Sequence, residues 1–312
     1  MSPPFGDILP LRVLITGANG LLGQRLVEEF SRYGRYDVLA TGRDERPRFG
    51  NLSAGYVRLD ILRRADIEGL FADFTPHVVI HAAAMTNVDA CERERALCWR
   101  TNVQATQYII RACERYDSKL VFLSTDFVFD GQNGPYREDD LPNPVNYYGA
   151  SKLTAENEVR ASLLNWAIVR TALLYGTARN VNRPNFALWL LDRLRRGERV
   201  RVVVDQYRTP TYNVDLARGI EQLVRRNASG IYHLSGRELV SIYEFARQIA
   251  EVFELDPDQI QPCTSEELGQ PARRPSRTGF IILKAETELG YRPRPLREAL
   301  RELRQQIEVD IR

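Results

Sequence analysis

The feature that most constrains the fold of this 312-residue chain is a glycine-rich turn placed between an apolar strand and a helix. Residues 11–16 (LRVLIT) form the apolar run, GANGLLG follows at 17–23, and helical periodicity extends from 24 to 33. Glycines permit a tight turn and let the backbone approach a pyrophosphate, and the helix N-terminus offers unpaired N–H groups. The arrangement predicts a dinucleotide-binding unit.

Strand-forming and helix-forming segments then alternate as far as residue 175. This alternation predicts an α/β fold, a Rossmann-type doubly wound parallel sheet that binds ligands at the carboxyl ends of its strands. The predicted strands are 37–41, 56–60, 77–84, 119–124 and 166–170, and the predicted helices are 64–71, 102–116 and 146–160.

The alternation loosens beyond residue 175, which predicts a second, smaller α+β domain that binds the substrate. We expect residues 1–175 to form the NAD(P)-binding Rossmann domain, which residues 212–235 rejoin. Residues 176–211 and 236–312 would form the smaller domain. The smaller domain is expected to contain helices at 184–195 and 242–253, a strand at 200–204, and loops at 205–211 and 271–275. The rejoining segment is expected to contain a helix at 215–225 and a strand at 230–234.

Composition narrows the class of protein. The chain has 43 basic and 41 acidic residues, so no strong positive field indicates nucleic acid as a partner. No apolar run approaches the ~18 residues of a membrane span, and residues 1–7 lack the pattern of a signal peptide. The four cysteines form no CxxC pair and have no histidine at ligand spacing, so we expect reduced thiols, no metal site and a cytoplasmic location.

The end of the second strand indicates the cofactor. An acid at this position would bond the ribose 2′-hydroxyl of NAD, but Arg43 stands there. A guanidinium can instead meet a 2′-phosphate, so NADPH is predicted. Asp44 is one residue away, and NADH therefore stays an alternative.

Tyr148 and Lys152 are four residues apart in the predicted helix 146–160, a spacing that places both side chains on one face. An ammonium beside a phenol favours the phenolate and makes the tyrosine a usable acid or base. Such pairs are common on solvated helices. This pair, however, follows a strand that ends in Ser124-Thr125, downstream of the glycine-rich turn, which favours a catalytic role.

Four strings together carry a family pattern: TGANGLLG at 16–23, HAAA at 81–84, STDFVFDG at 124–131 and YGASK at 148–152. With them the chain resembles an extended short-chain dehydrogenase/reductase, and within that superfamily the dTDP-4-dehydrorhamnose reductase family of sugar-nucleotide-binding proteins. Asp205-Gln206, the TPT string at 209–211 and Arg274-Pro275 extend the resemblance over nearly the whole chain.

The resemblance implies NADPH-dependent reduction of a 4-keto-6-deoxy sugar nucleotide, as in dTDP-rhamnose biosynthesis. Tyr148 would donate the proton, Lys152 would hold the cofactor ribose and lower the tyrosine pKa, and Thr125 would hydrogen-bond the carbonyl oxygen. The implied partner is the sugar-nucleotide substrate. The oligomeric state stays open, with a homodimer among the alternatives.

The comparison with the family also implies further site residues. Those on the cofactor side, besides Tyr148 and Lys152, are Gly17, Asn19, Gly20, Leu21, Leu22, Gly23, Arg43, Asp60, Ile61, Ala82, Ala83, Ala84 and Asn102. Those on the substrate side are Met85, Thr86, Val88, Asp126, Phe127, Leu173, Asn185, Arg208 and Arg274.

Three positions depart from the family pattern, all on the substrate side. Phe127 replaces the usual tyrosine, Leu173 an expected aromatic residue, and Arg277-Thr278 the usual Asn-Ser. The predicted reduction is therefore better supported than the identity of the sugar.

Two alternatives stay open. One is an epimerase or dehydratase that acts on sugar nucleotides and keeps NAD bound through the reaction. The other is a non-catalytic protein resembling the regulatory subunit of methionine adenosyltransferase, which shares this fold and family. The presence of both Tyr148 and Lys152 argues against the second alternative.

Overall fold

The computed structural model describes residues 9–50, 52–180 and 183–310. Its strands are β1 (Leu11–Thr16), β2 (Tyr36–Gly42), β3 (Gly55–Arg58), β4 (Val78–His81), β5 (Lys119–Thr125), β6 (Trp166–Thr171), β7 (Leu174–Tyr175), β8 (Val200–Val203), β9 (Tyr207–Arg208), β10 (Thr211–Tyr212), β11 (Gly230–His233), β12 (Val240–Ser241) and β13 (Ile260–Cys263).

The α-helices lie between and after these strands. They are α1 (Leu21–Ser31), α2 (Arg64–Phe74), α3 (Val88–Arg93), α4 (Arg95–Trp99), α5 (Ala105–Tyr116), α6 (Tyr147–Ala161), α7 (Phe186–Arg195), α8 (Asn213–Arg225), α9 (Ile242–Val252), α10 (Ser265–Leu268) and α11 (Leu296–Asp310). A π-helical turn, Arg100–Gln104, connects α4 to α5.

A seven-stranded sheet forms the centre of the molecule, with the order β3-β2-β1-β4-β5-β6-β11. Every neighbouring pair in it is parallel. The predicted doubly wound parallel sheet is confirmed. The chain reverses its direction across the sheet between β1 and β4, and the crevice at such a switch point is where open α/β sheets bind ligands.

Apolar clusters cover both faces of this sheet. Val13 and Ile15 of β1 belong to the cluster that contains α1 and α8, whereas Leu14 belongs to the cluster that contains α2 and α5. Successive side chains of a strand point to opposite faces, so one apolar strand contributes to both clusters. The sheet is therefore buried on both sides.

A third apolar cluster lies in the second half of the chain and includes Leu190 of α7, Phe245 of α9 and Leu300 of α11. Apart from β11, which joins the central sheet, the strands of this half form small pairs: β8 with β13 and β7 with β10 are parallel, and β9 with β12 is antiparallel. The predicted division of the chain into two domains stays a prediction.

Several element boundaries differ from the sequence prediction. The fourth strand ends at His81, and the predicted loop 205–211 contains β9 and the first residue of β10. The polar composition of this segment predicts an exposed loop, and that prediction was wrong. The segment is buried because Arg208 within it pairs with Asp126, an acid far away in the sequence. None of the described helices is long and apolar enough to cross a membrane.

Candidate functional site

The glycine-rich turn brings three backbone segments into direct contact. Gly17 has φ +70°, and a Cβ atom there would lie 2.8 Å from the backbone nitrogen of Ala83. A Cβ atom on Gly23 would collide with the carbonyl oxygen of Gly17. Gly20 is the N-cap of α1 and provides no side-chain cap, so the first-turn N–H groups of α1 have the arrangement typical of a phosphate site.

The predicted small residues 82–84 follow β4 at the same edge. The Ala83 N–H donates to Thr16 Oγ1 at 3.2 Å, and Thr16 Oγ1 lies 2.8 Å from His81 Nδ1. Burial lowers the pKa of His81 to about 3, so this histidine is neutral. It holds the ends of β1 and β4 together and has a structural role.

Asn19 and Asp44 form a polar network at the end of β2. Asn19 Nδ2 donates to Asp44 Oδ2 at 2.8 Å and to Tyr56 Oη at 3.2 Å. Asp44 also accepts from Arg48 Nε at 2.9 Å, and the hydrogen bond from Asn19 lowers the pKa of Asp44. Arg43 is exposed, with no hydrogen bond or ion pair to any other residue within the described ranges.

The remaining predicted cofactor residues lie at the neighbouring strand ends. Asp60 follows β3, and its Oδ1 accepts from the N–H of Leu62 at 3.0 Å, while Ile61 beside it is buried. Leu21 and Leu22 form the first turn of α1. These positions share the carboxyl edge of the sheet with the glycine-rich turn.

Asn102 is buried in the π-helical turn, and its side chain is fully engaged within the protein. Its Oδ1 accepts from the N–H of Met85 at 2.8 Å, and its Nδ2 donates to the Met85 carbonyl at 3.1 Å and to Ser151 Oγ at 3.0 Å. Asn102 therefore fixes the segment after β4 against α6.

The predicted catalytic residues converge where β5 ends and α6 begins. Asn146 caps α6 by accepting from the N–H of Gly149 at 2.8 Å. A Cβ atom on Gly149 would collide with the carbonyl of Phe127, so glycine permits α6 to approach the end of β5. Thr125 and Tyr148 are both buried, and Thr125 lies near enough to Tyr148 to lower its pKa.

Burial dominates the pKa shifts of Tyr148 and Lys152. It raises the pKa of Tyr148, and Thr125 lowers that pKa by less. Burial also lowers the pKa of Lys152 to about 7, and Lys152 Nζ lies 4.0 Å from the centre of the Phe122 ring. The predicted lowering of the tyrosine pKa by Lys152 stays a prediction.

Arg208 and Asp126 form a buried ion pair next to Thr125, with 3.2 Å from Arg208 Nε to Asp126 Oδ2. Arg208 also donates to the carbonyls of Tyr207 at 2.7 Å, Pro275 at 2.6 Å and Ser276 at 3.2 Å. The donors of Arg208 are thus engaged by the protein. This arrangement disfavours its predicted contact with a diphosphate and makes it a support for the end of β5.

Arg274 lies on the predicted loop 271–275 and is partly exposed. It pairs with Asp89 of α3, at 2.6 Å and 2.8 Å, and donates to the carbonyl of Ala272 at 2.6 Å. Asn146 Nδ2 donates to the carbonyl of Arg273 at 2.9 Å. The loop is therefore joined both to α3 and to the cap of the helix that carries Tyr148.

The remaining predicted substrate residues are distributed unevenly. Met85, Val88 and Phe127 pack in one cluster with Tyr148, and the Phe127 and Tyr148 rings meet edge-on at 6.0 Å. Thr86 is exposed beside them. Asn185 instead caps α7, since it accepts from the N–H of Leu188 at 3.3 Å and donates to the Gly176 carbonyl at 2.8 Å.

The sequence profile of the RmlD substrate binding domain matches residues 11–309. The chain belongs to this family. Methionine adenosyltransferase 2 subunit beta from Danio rerio is 33% identical over 298 residues, which cover 93% of this chain and 89% of that protein. The spore coat polysaccharide biosynthesis protein SpsK from Bacillus subtilis is 34% identical over 296 residues, which cover 95% and 97%.

Solved structures of RmlD-type proteins agree with the fold. The dTDP-4-dehydrorhamnose reductase from Bacillus anthracis, in complex with NADP, superposes with a TM-score of 0.83 at 32% identity, covering 95% of this chain and 99% of that one. The predicted family is thereby confirmed. The chain is an NAD(P)-dependent oxidoreductase of the extended short-chain dehydrogenase/reductase type, and the comparison supports a nicotinamide cofactor.

The structure shows the surroundings or the backbone conformation of a residue at each of the three positions that depart from the RmlD family pattern. The Phe127 ring lies 5.4 Å from the guanidinium carbon of Arg208. Thr278 is fully buried and donates its hydroxyl to Asp126. Leu173 adopts φ +39°, a backbone conformation that is rare for a branched residue and costs conformational energy.

Sequence reasoning missed several residues that support the site: Asp89, Ser151, Glu156 and Arg170. Only Glu156 had a visible signal, because it continues the four-residue spacing of Tyr148 and Lys152. The four cysteines are free and buried. Within the described ranges, no group of three or more histidine, cysteine, aspartate or glutamate side chains is arranged to hold a metal ion.

Proposed function

We propose that this protein is an NADPH-dependent reductase of 4-keto-6-deoxy sugar nucleotides, with dTDP-4-dehydrorhamnose as its first candidate substrate. The observation that carries the proposal is the convergence of Thr125, Tyr148 and Lys152 at the carboxyl edge of the sheet, beside the glycine-rich turn. The similarity to the Bacillus anthracis reductase supports the choice of substrate.

The described residues fit a dinucleotide. Gly17 and Gly23 leave no room for side chains, and the uncapped start of α1 suits a pyrophosphate. Asp44 is already engaged by Asn19 and Arg48, whereas Arg43 is exposed for a 2′-phosphate. These contacts favour NADPH over NADH. When bound, the cofactor supplies the hydride.

The side chains of the site would control the proton and the carbonyl oxygen. Thr125 donates a hydrogen bond that polarises the carbonyl, and Tyr148 donates its phenolic proton to the oxygen as it gains charge. A raised pKa keeps Tyr148 protonated at neutral pH and thus ready to act as an acid. The Lys152 ammonium stabilises the tyrosinate that remains, and solvent returns the proton.

An absorbance assay tests the proposal. Purified protein is mixed with NADPH and dTDP-4-dehydrorhamnose, and the loss of NADPH absorbance is followed, with NADH in a parallel reaction. We expect turnover that is faster with NADPH. A lack of turnover with every 4-keto-6-deoxy sugar nucleotide tried would overturn the proposal, and stoichiometric NAD in the purified protein would favour the epimerase or dehydratase alternative.

A second candidate function is that of a regulatory subunit for a methionine adenosyltransferase, favoured by the 33% identity to the subunit beta from Danio rerio. The test is to mix the protein with a methionine adenosyltransferase catalytic subunit and analyse the mixture by size-exclusion chromatography. Co-elution together with altered kinetics of the synthetase would support this candidate. Separate elution at micromolar concentrations would exclude a stable complex.

A further inference from the structure

Three ionisable side chains lie in a row along one face of α6. Tyr148, Lys152 and Glu156 follow each other at four-residue spacing, and their exposed fractions are 8%, 3% and 0%. Side chains at this spacing are neighbours on the same helical face. Glu156 therefore continues the row below Lys152, one turn further from the carboxyl edge of the sheet.

Arg170 of β6 engages both carboxylate oxygens of Glu156. Its Nε lies 3.0 Å from Oε1 and 3.2 Å from Oε2, and its Nη2 lies 2.6 Å from Oε2. Both side chains are almost completely buried. A paired geometry of this kind fixes the position of the carboxylate.

Among the described residues, Glu156 is the carboxylate whose charge acts on Lys152. Tyr148 and Glu156 face it from α6, Cys98 from α4, His81 from β4, and the ring of Phe122 from β5. In the part of the chain that the structure describes, no ion pair within 4.0 Å involves Lys152. Burial lowers the pKa of Lys152, and Glu156 is the largest influence that raises it again.

We propose that Glu156, held in place by Arg170, is a positioning residue that keeps the buried Lys152 ammonium charged. The inference rests on the proposed function, in which the charge on Lys152 stabilises the tyrosinate of Tyr148. Without the Glu156 carboxylate, Arg170 would lose its ion-pair partner and Lys152 the carboxylate that follows it on the same face of α6. Lys152 would then lose its proton at a lower pH.

The chain offers a direct measurement because it contains three lysines, Lys119, Lys152 and Lys284. Lysine labelled with ¹³C at Cε gives one NMR signal for each, and the titration of each is followed against pH. In Glu156→Gln, the Lys152 titration should move down by roughly one pH unit or more, as expected for the loss of a unit charge one helical turn away. An unchanged Lys152 titration would overturn the proposal.

Lys119 is the internal control. Burial lowers its pKa to about 8, and its Nζ donates to Asn165 Oδ1 at 3.0 Å, on a different part of the sheet. Its titration should stay where it is in Glu156→Gln. Equal shifts of Lys119 and Lys152 would show a general loosening of the fold and would contradict the proposal.

A double variant separates charge from folding. Glu156→Gln combined with Arg170→Met removes both members of the buried pair, which proteins often tolerate without loss of stability. We expect the thermal midpoint of the double variant to return toward the wild-type value. The Lys152 titration should stay at a lower pH than in wild type. A return of the Lys152 titration to its wild-type position would reduce the pair to a structural role.

Activity gives a second, separable readout. The alkaline limb of kcat/KM against pH should move to lower pH in Glu156→Gln, in parallel with the Lys152 titration. Failure of the proposed reduction would leave this profile unmeasurable but would leave the NMR titration intact. Failure of the proposed reduction and failure of the Glu156 proposal are therefore distinguishable. If the Lys152 titration shifts but the alkaline limb of kcat/KM does not, the link between Glu156 and the reaction is contradicted.

Discussion

Arg274 holds Asp89 through two parallel hydrogen bonds, from Nη1 to Oδ1 at 2.6 Å and from Nη2 to Oδ2 at 2.8 Å. Pairs of this geometry are stronger and more directional than single contacts. The same loop is joined to the cap of α6 through Asn146 and the carbonyl of Arg273. A partly exposed cation is thus held beside the residues that surround Tyr148.

Arg274→Ala should raise KM for the sugar nucleotide by about tenfold or more, because one charge-assisted hydrogen bond to a phosphate is lost. NADPH affinity should stay the same. Asp89→Asn is the matched control: it weakens the ion pair but leaves the cation, so KM should not rise. Steady-state kinetics measure both, and equal increases in KM for the two variants would show that Arg274 only orders the loop.

Tyr148→Phe should lower turnover by roughly 100-fold or more, since it removes the general acid, while NADPH binding stays nearly unchanged. Tyr147→Phe is the control, because the ring of that neighbour packs under Arg95, with 5.2 Å from the guanidinium carbon to the ring centre. It should keep near wild-type turnover. Full activity of Tyr148→Phe would remove this residue from the mechanism.

Arg43→Ala should weaken NADPH binding by about tenfold and NADH binding far less, because only NADPH carries the phosphate that the guanidinium would meet. Fluorescence titration of both cofactors measures the difference. Arg160→Ala, at the exposed end of α6, serves as the control for a general loss of positive charge. Equal losses for NADPH and NADH would refute the role of Arg43.

Lys152 should make stability depend on pH. Its pKa is about 7 in the folded protein and about 10.4 in an unfolded chain, so between these values the unfolded state binds more protons and stability rises with pH. Relative to wild type, Lys152→Met should gain on the order of a few kcal/mol at pH 6, and this advantage should shrink by pH 9.5. Urea unfolding at both pH values measures the difference, and a pH-independent difference would contradict the buried charge.

Much of the fold was predictable because its signals are local. The apolar runs of β1, β4 and β5 identify the sheet. Because the carboxyl ends of parallel strands meet at one edge, the placement of Thr125 on the same edge as the glycine-rich turn follows from strand order. The short helices α3 and α4 contain too few residues to show helical periodicity.

The electrostatics of the site were not predictable in this way. Arg208 and Arg274 look like two free cations in the sequence, yet each is paired with an acid far away along the chain, Asp126 and Asp89. The pKa of Tyr148 depends on how deeply the helix is buried, which no local pattern encodes. Burial and pairing between distant segments decide both properties.

The most direct test of the central claim is the fate of a labelled hydride. NADPH that carries deuterium at both C4 positions of the nicotinamide is incubated with the protein and dTDP-4-dehydrorhamnose, and the product is analysed by mass spectrometry and NMR. We predict one deuterium at C4 of the product sugar, formed much more slowly by Tyr148→Phe. A product without deuterium at C4, or no NADPH consumption with any 4-keto-6-deoxy sugar nucleotide, would contradict the account.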